Sequence, residues 1–392
     1  MRPHAGPALL AYGFRPFFLA AGVAAALALA LWLIALAGGP ALPTAFAPAV
    51  WHAHEMLFGF ATAAIAGFLL TAIPNWTGRL PVQGNPLLLL VLLWLAGRLA
   101  IAVSAIIGLW PAAAIDLAFL AALLFVIVRE LVAGNNRRNL PIAFVLALLL
   151  AANGLTHAEA AGLGVPDGCG WRLAIAVIVF LIALIGGRIV PSFTRNWLTK
   201  NRPKDPPPSP SGRFDQASLA ATVVGLAAWV VLPQTPLAAA LAAVAAIVNA
   251  VRLLRWQGHR TLADPLLLVL HVGYAWVPIG LALLALNQAG LLPETAAIHG
   301  FTAGAIGTMT LAVMTRATLG HTGRNLRAGH GTNSIFVLVT AAATTRVLAT
   351  LLPDYWEPLM WISGSAWIAA FAGFVAIYGP MLIRPRIDGR PG

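Results

Sequence analysis

The sequence predicts an all-α, polytopic membrane protein of about twelve transmembrane helices. Three observations predict it. Apolar runs of about 20 residues, the length that crosses a bilayer as a helix, recur along the whole chain. Of 392 residues, 60% are hydrophobic and only 9% are charged, where soluble domains carry about 25%. The basic residues behind the net charge of +12 fall on alternate connections, so the charge reports topology and not a nucleic-acid partner.

Taken in order, the first span covers about 15–37, behind Arg2 and Arg15. It is full length, and its flank has no small-residue cleavage site, so it reads as a true first helix. Spans at about 51–73 and 86–107 enclose Arg79, and those at about 110–131 and 139–160 enclose Arg129, Arg137 and Arg138. The sixth, about 171–192, leads into the one real linker, residues 200–212. Its prolines at 203, 206, 207, 208 and 210 cannot continue a helix. Spans at about 214–232, 236–256 and 262–286 follow, with Arg252, Arg255 and Arg260 between the last two. The tenth, about 296–319, runs into Arg316, Arg324 and Arg327. Spans at about 331–352 and 356–382 complete the set, before Arg384, Arg386 and Arg390. The opposite connections hold Arg172 with Glu159, Asp167, Glu294, Asp354 and Glu357. By the positive-inside rule, both termini are cytoplasmic. Residues 1–392 read as a single membrane domain, and the one cysteine, Cys169, excludes an intrachain disulfide and an all-Cys metal site.

Two stretches of equal length, 54–79 and 299–324, share a frame. Each opens on a histidine, His54 or His299, and closes on Thr-Gly-Arg, at 77–79 or 322–324. The ending Ile73-Pro74-Asn75-Trp76-Thr77 recurs as Val190-Pro191-Ser192-Phe193-Thr194 on the sixth span. Related endings on spans two, six and ten imply three units of four helices, in conflict with a six-plus-six division at the linker.

Histidines inside hydrocarbon are costly and point to ligation. His52 and His54 are two apart and face nearly opposite sides of a helix. His52, Glu55 and Met56 share one face, a mixture of imidazole, carboxylate and thioether that suits copper. His54 lies with Leu57 and Phe58, which suits an axial haem ligand. His157 stands one turn after Asn153 on span five, and His271 one turn before Tyr274 on span nine. Four spans carrying a histidine suggest a common metal or cofactor site. Solvation of a helix end or a satisfied buried imidazole is the plainer alternative for any one of them. Arg98 and Arg346 fall inside spans and need partners: Asp116 on the next helix for Arg98, or a cofactor carboxylate. Arg188, beside Gly186-Gly187, and Arg316 could hold anionic groups such as haem propionates, or serve as topogenic charge. No Walker loop, dinucleotide fingerprint, haem-attaching Cys-x-x-Cys-His or Gly-x-Ser-x-Gly elbow is present in the sequence.

The chain resembles the NnrS family of bacterial membrane proteins across nearly its whole length. The resemblance rests on GFRPFF at 13–18, WHAHEMLFGF at 51–60, GFLLTAIPNWTG at 67–78 and GGRIVPSFTRN at 186–196. It continues with LHVGYAW at 270–276 and the run from His299 to Arg324. It implies haem b and copper, and a protein that binds or processes nitric oxide or protects against nitrosative stress. The ligands it implies are His52, His54, His157, His271 and His299, and the division between haem and copper stays open; the reading of the residues themselves adds Met56 as a candidate metal ligand and Arg98 and Arg316 as candidate cofactor-binding residues. A weaker resemblance to haem–copper oxidases, also three four-helix arcs with haem-ligating histidines on helices two and ten, makes His54 and His299 the expected haem pair. The sixth span departs from that pattern, having no histidine, and the seventh lacks the adjacent pair that binds copper there. A secondary transporter for a metal or small anion, and a non-catalytic haem-based sensor, are the alternatives. Enzyme or binder stays open, and no electron-donor domain is attached.

Overall fold

The computed structural model describes residues 6–202, 204, 206–208 and 210–389, so Arg2, Pro203 and Arg390 lie outside the described residues. Twelve helices are long and apolar enough to cross a membrane. They are α1 (Phe14–Leu36), α2 (Pro48–Thr77), α3 (Asn85–Ala102), α4 (Leu109–Ala133), α5 (Arg137–Ala160) and α6 (Cys169–Asn201). The rest are α7 (Arg213–Val231), α8 (Pro236–Arg255), α9 (Pro265–Gln288), α10 (Glu294–His321), α11 (His330–Leu351) and α12 (Pro353–Ile383). No strand occurs among the described residues. The protein is therefore an all-helical, multi-pass membrane protein, since in lipid a helix satisfies its own backbone groups.

The main difference from the expected spans is that α6 runs on to Asn201, with Pro191 inside it. Membrane helices tolerate such prolines. Near this one, the Thr194 hydroxyl donates to the carbonyl of Val190 at 2.8 Å. In α2, which contains Pro74, Thr77 donates to Ile73 O at 2.9 Å. Thr322 repeats the bond to Thr318 O at 2.7 Å at the end of α10, without a proline. The three related endings thus share a hydroxyl-to-carbonyl bond.

The resemblance between α2 and α10 extends to their winding. Directly after His54, α2 is π-helical over Glu55–Ala61; directly after His299, α10 is π-helical over Gly300–Gly307. Both end on a left-handed glycine, Gly78 at φ 69° and Gly323 at φ 76°. The next helix starts at the same interval in both copies, at Asn85 and at His330. A π segment is rare and marks functional sites more often than chance. By contrast, α6 is α-helical from end to end, so the four-helix plan is matched in winding by two copies only.

The chain forms two compact units. The first holds residues 1–174, 317–325 and 371–392; the second holds 175–316 and 326–370. The division does not fall at the linker. In the first unit, α2 packs on α1 and α4, and α4 on α3 and α5. Here the GFRPFF motif acts as a clasp. Arg15 is fully buried and donates to the carbonyls of Leu382 at 2.9 Å and Arg384 at 2.7 Å, capping the end of α12. In the second unit, α8 packs between α7 and α9, and α10 on α9 and α11.

Candidate metal centre

Four helices of the first unit bring polar side chains together in otherwise apolar surroundings. From α2 come His54 and Glu55, from α3 Arg98, from α4 Asp116, and from α5 Asn153 and His157. His54, Asp116, Asn153 and His157 are each 1–2% exposed.

Asp116 is the hub. Its Oδ2 lies 3.2 Å from His54 Nε2 and 3.0 Å from His157 Nε2, and accepts from Asn153 Nδ2 at 2.8 Å. Its Oδ1 accepts from the Arg98 guanidinium, whose Nη1 also donates to Glu55 Oε1 at 2.7 Å. The other ring nitrogen of His54 lies 3.4 Å from the same Glu55 oxygen. His54 therefore has acceptor oxygens at both nitrogens, Nε2 also lying 3.1 Å from Asn153 Oδ1. That arrangement suits an imidazolium, with a proton where a metal would sit.

The backbone makes room for this cluster. A Cβ at Gly97 would come within 3.1 Å of Asp116 Oδ1, and one at Gly59 within 3.2 Å of Arg98 Cδ and Nη1. Glu55 meets His54 and Arg98, where ideal α-helical spacing would group it with His52 and Met56. The Gly59 carbonyl, which accepts from Thr62 N–H, also accepts from the Trp94 indole N–H at 3.0 Å. Phe46 and Phe58 wall the imidazoles, their ring centroids 5.2 and 5.1 Å from that of His54.

The donor set fits a metal. His54, Asp116 and His157 offer ligand atoms all within 4.8 Å of one another. Metal–nitrogen and metal–oxygen bonds of about 2.0–2.1 Å around a tetrahedral centre set ligand atoms about 3.3 Å apart, close to the 3.2 and 3.0 Å from Asp116 Oδ2 to the two imidazoles. Two imidazoles and a carboxylate suit borderline divalent ions of the first transition row, and the set includes no sulfur to favour copper(I).

The other expected ligands stand elsewhere. His52 stacks on Trp32 with centroids 5.0 Å apart, and Met56 packs against the apolar cluster of Phe46, Trp51 and Ile101. His271 belongs to the second unit, where its Nε2 meets the Thr194 hydroxyl at 2.9 Å and its Nδ1 is buried without a hydrogen-bond partner. His299 also belongs to the second unit; its Nδ1 donates to Thr295 O at 2.8 Å. Arg316 lies with its Cζ 4.4 Å from the Phe193 ring centroid, and its Nη1 is buried without a hydrogen-bond partner. Seventeen residues of α10 separate it from His299, about 25 Å of helix, too far to serve one haem.

Both ring nitrogens of His54 face polar groups within the first unit. Arg98 is engaged by Asp116, the partner expected from the sequence, and by Glu55. Sequence reasoning found His54, His157 and the Arg98–Asp116 pair separately. It missed that Asp116 joins them, although a lone carboxylate in the long apolar run of α4 was the available signal. The Gly186-Gly187 pair, read as flanking an anion-binding arginine, serves packing: a Cβ at Gly187 would collide with the Arg252 guanidinium, and Gly186 faces Tyr274 and Met309.

None of the curated proteins matches the chain. The family model described as NnrS protein matches residues 8–386, from before α1 to beyond α12. The resemblance first carried by GFRPFF, WHAHEMLFGF and the run from His299 is thus met along nearly the full length, and the chain belongs to the NnrS family.

Proposed function

We propose that the protein binds copper at His54, Asp116 and His157, carries haem b in its second unit with His299 as an axial ligand, and handles nitric oxide in the bacterial inner membrane with both termini cytoplasmic. Membership of the NnrS family is consistent with a nitric oxide-related membrane protein. The observation that carries the metal reading is the convergence of two imidazoles on one buried carboxylate oxygen. A carboxylate buried in a span is costly and marks function.

The chain's own residues would act as follows. Asp116 and the two imidazoles hold the ion, and Phe46 and Phe58 keep water from it while admitting a small uncharged molecule. A bound metal with three protein ligands offers an open position for such a molecule. Arg316, with a buried unpartnered Nη1, suits an anionic group.

Purified protein from haem- and copper-replete cells tests this by metal analysis and absorption spectroscopy. His157→Ala is expected to lose copper and keep the Soret band; His299→Ala is expected to do the reverse. Copper content unchanged in both His157→Ala and Asp116→Asn would sink the metal reading, and a missing Soret band in the parent protein would sink the haem reading.

A further inference from the structure

Arg98 holds a position that a merely structural arginine does not need. Its Nη1 binds Glu55 Oε1 at 2.7 Å and its Nη2 binds Asp116 Oδ1, so it bridges an acid that contacts His54 and an acid that is itself a candidate ligand. Its Nε is buried with no hydrogen-bond partner, so the fork is held at one end only. Its side chain passes over Gly59, where no side chain stands in its way. Arg98 is thus a cation, 11% exposed, against the carboxylate that a metal would need, with a second acid at hand to receive it.

We propose that Arg98 is a built-in competitor for the metal: it neutralises Asp116 when the site is empty, shifts onto Glu55 when a divalent ion arrives, and so keeps the site exchangeable. This rests on the metal reading above and adds a regulation to it. Two consequences follow from simple charge arguments. A positive charge beside the ion opposes binding in a low-dielectric interior, so Arg98 lowers affinity. Glu55 does the opposite. It faces the Nδ1 of His54, aiming Nε2 at the site as outer-shell carboxylates do for metal-bound histidines, and it gives Arg98 somewhere to go. Both are positioning residues, since neither contributes a ligand atom.

The opposite signs make the test. The full-length protein in detergent, stripped by a chelator, is titrated with Co²⁺ against a competing chelator, and binding is followed by the ligand-field absorption of the ion. Arg98→Gln is expected to bind Co²⁺ about tenfold tighter or more. Glu55→Gln is expected to bind about 10–100-fold more weakly. Arg98→Lys, which keeps the charge, is expected to stay near the parent affinity. Loss of affinity in both Arg98→Gln and Glu55→Gln would mean a shared structural role and would overturn the proposal, as would no change in Arg98→Gln. Should Arg98→Gln not fold, the Arg98→Gln/Glu55→Gln pair removes both charges together. It must then bind tighter than Glu55→Gln alone, and equal or weaker binding overturns the proposal. A parent protein that takes up no Co²⁺ sinks the metal reading itself, an outcome distinct from these.

Discussion

Each unit buries one arginine–aspartate pair, and the two pairs are built differently. In the second unit, Arg252 donates to Asp215 Oδ1 at 3.0 Å, to Ala183 O at 3.0 Å and to the Tyr274 hydroxyl at 2.9 Å. Tyr274 donates on to Asn249 Oδ1 at 2.9 Å, and Asn249 donates to Thr222 Oγ1 at 2.8 Å and to Ala245 O at 2.9 Å. The remaining Asp215 oxygen accepts from the backbone of Gly212 at 3.0 Å. The network runs from charge to backbone and includes no imidazole. In the first unit, Asp116 Oδ2 carries three contacts at once, two from imidazoles, and the arginine leaves its Nε unpartnered. A buried ion pair is weak evidence for stability or for function taken alone. What separates the two is whether the partners are fixed donors or side chains that can exchange a proton for a metal.

The comparison can be broken at several points. The largest effect is expected from Arg252→Met, which leaves Asp215 buried without its cation. It should destabilise the protein by about 3–5 kcal/mol and leave copper content per folded molecule unchanged, as read by thermal unfolding in detergent with metal analysis. Gly187→Ala should act in the same direction, because the new methyl group meets the Arg252 guanidinium. Next, Asp116→Asn should abolish stoichiometric copper while Asn249→Ala leaves it in place, measured on the same purified preparations. A smaller effect is expected from Trp94→Phe, which removes one hydrogen bond to the Gly59 carbonyl and leaves the one from Thr62 N–H; the loss should be about 1–1.5 kcal/mol. Smallest is Thr194→Val, which removes one hydroxyl from His271 Nε2 and should cost about 1 kcal/mol. If Arg252→Met removed copper as thoroughly as Asp116→Asn, the two clusters would not be separable in role.

Much of this architecture could be read from residue order, and the failures are instructive. Hydropathy located the helices because bilayer thickness sets their length, and the Arg98–Asp116 pair followed from the cost of an unpaired charge in a span. The end of α6 was misplaced because Pro191 breaks helices in water but is carried inside this membrane helix. Glu55 was grouped with His52 and Met56 by α-helical spacing, and the structure sets it against His54 and Arg98. The π segments that begin at Glu55 and Gly300 were not foreseen either, since nothing in hydropathy announces such a change of winding. The union of His54 and His157 on one carboxylate depends on how α2, α4 and α5 pack, which a single sequence does not state.

The clasp made by Arg15 bears on how the protein is assembled. Arg15 stands next to the start of the first helix, and the carbonyls that satisfy it, of Leu382 and Arg384, come from the end of the last. During synthesis this cation is laid down near the membrane long before its acceptors have been translated. These bonds therefore form only after the helices of the second unit have been translated. A protein shortened before Leu382 would lose the carbonyls that Arg15 caps, however complete the metal ligands were.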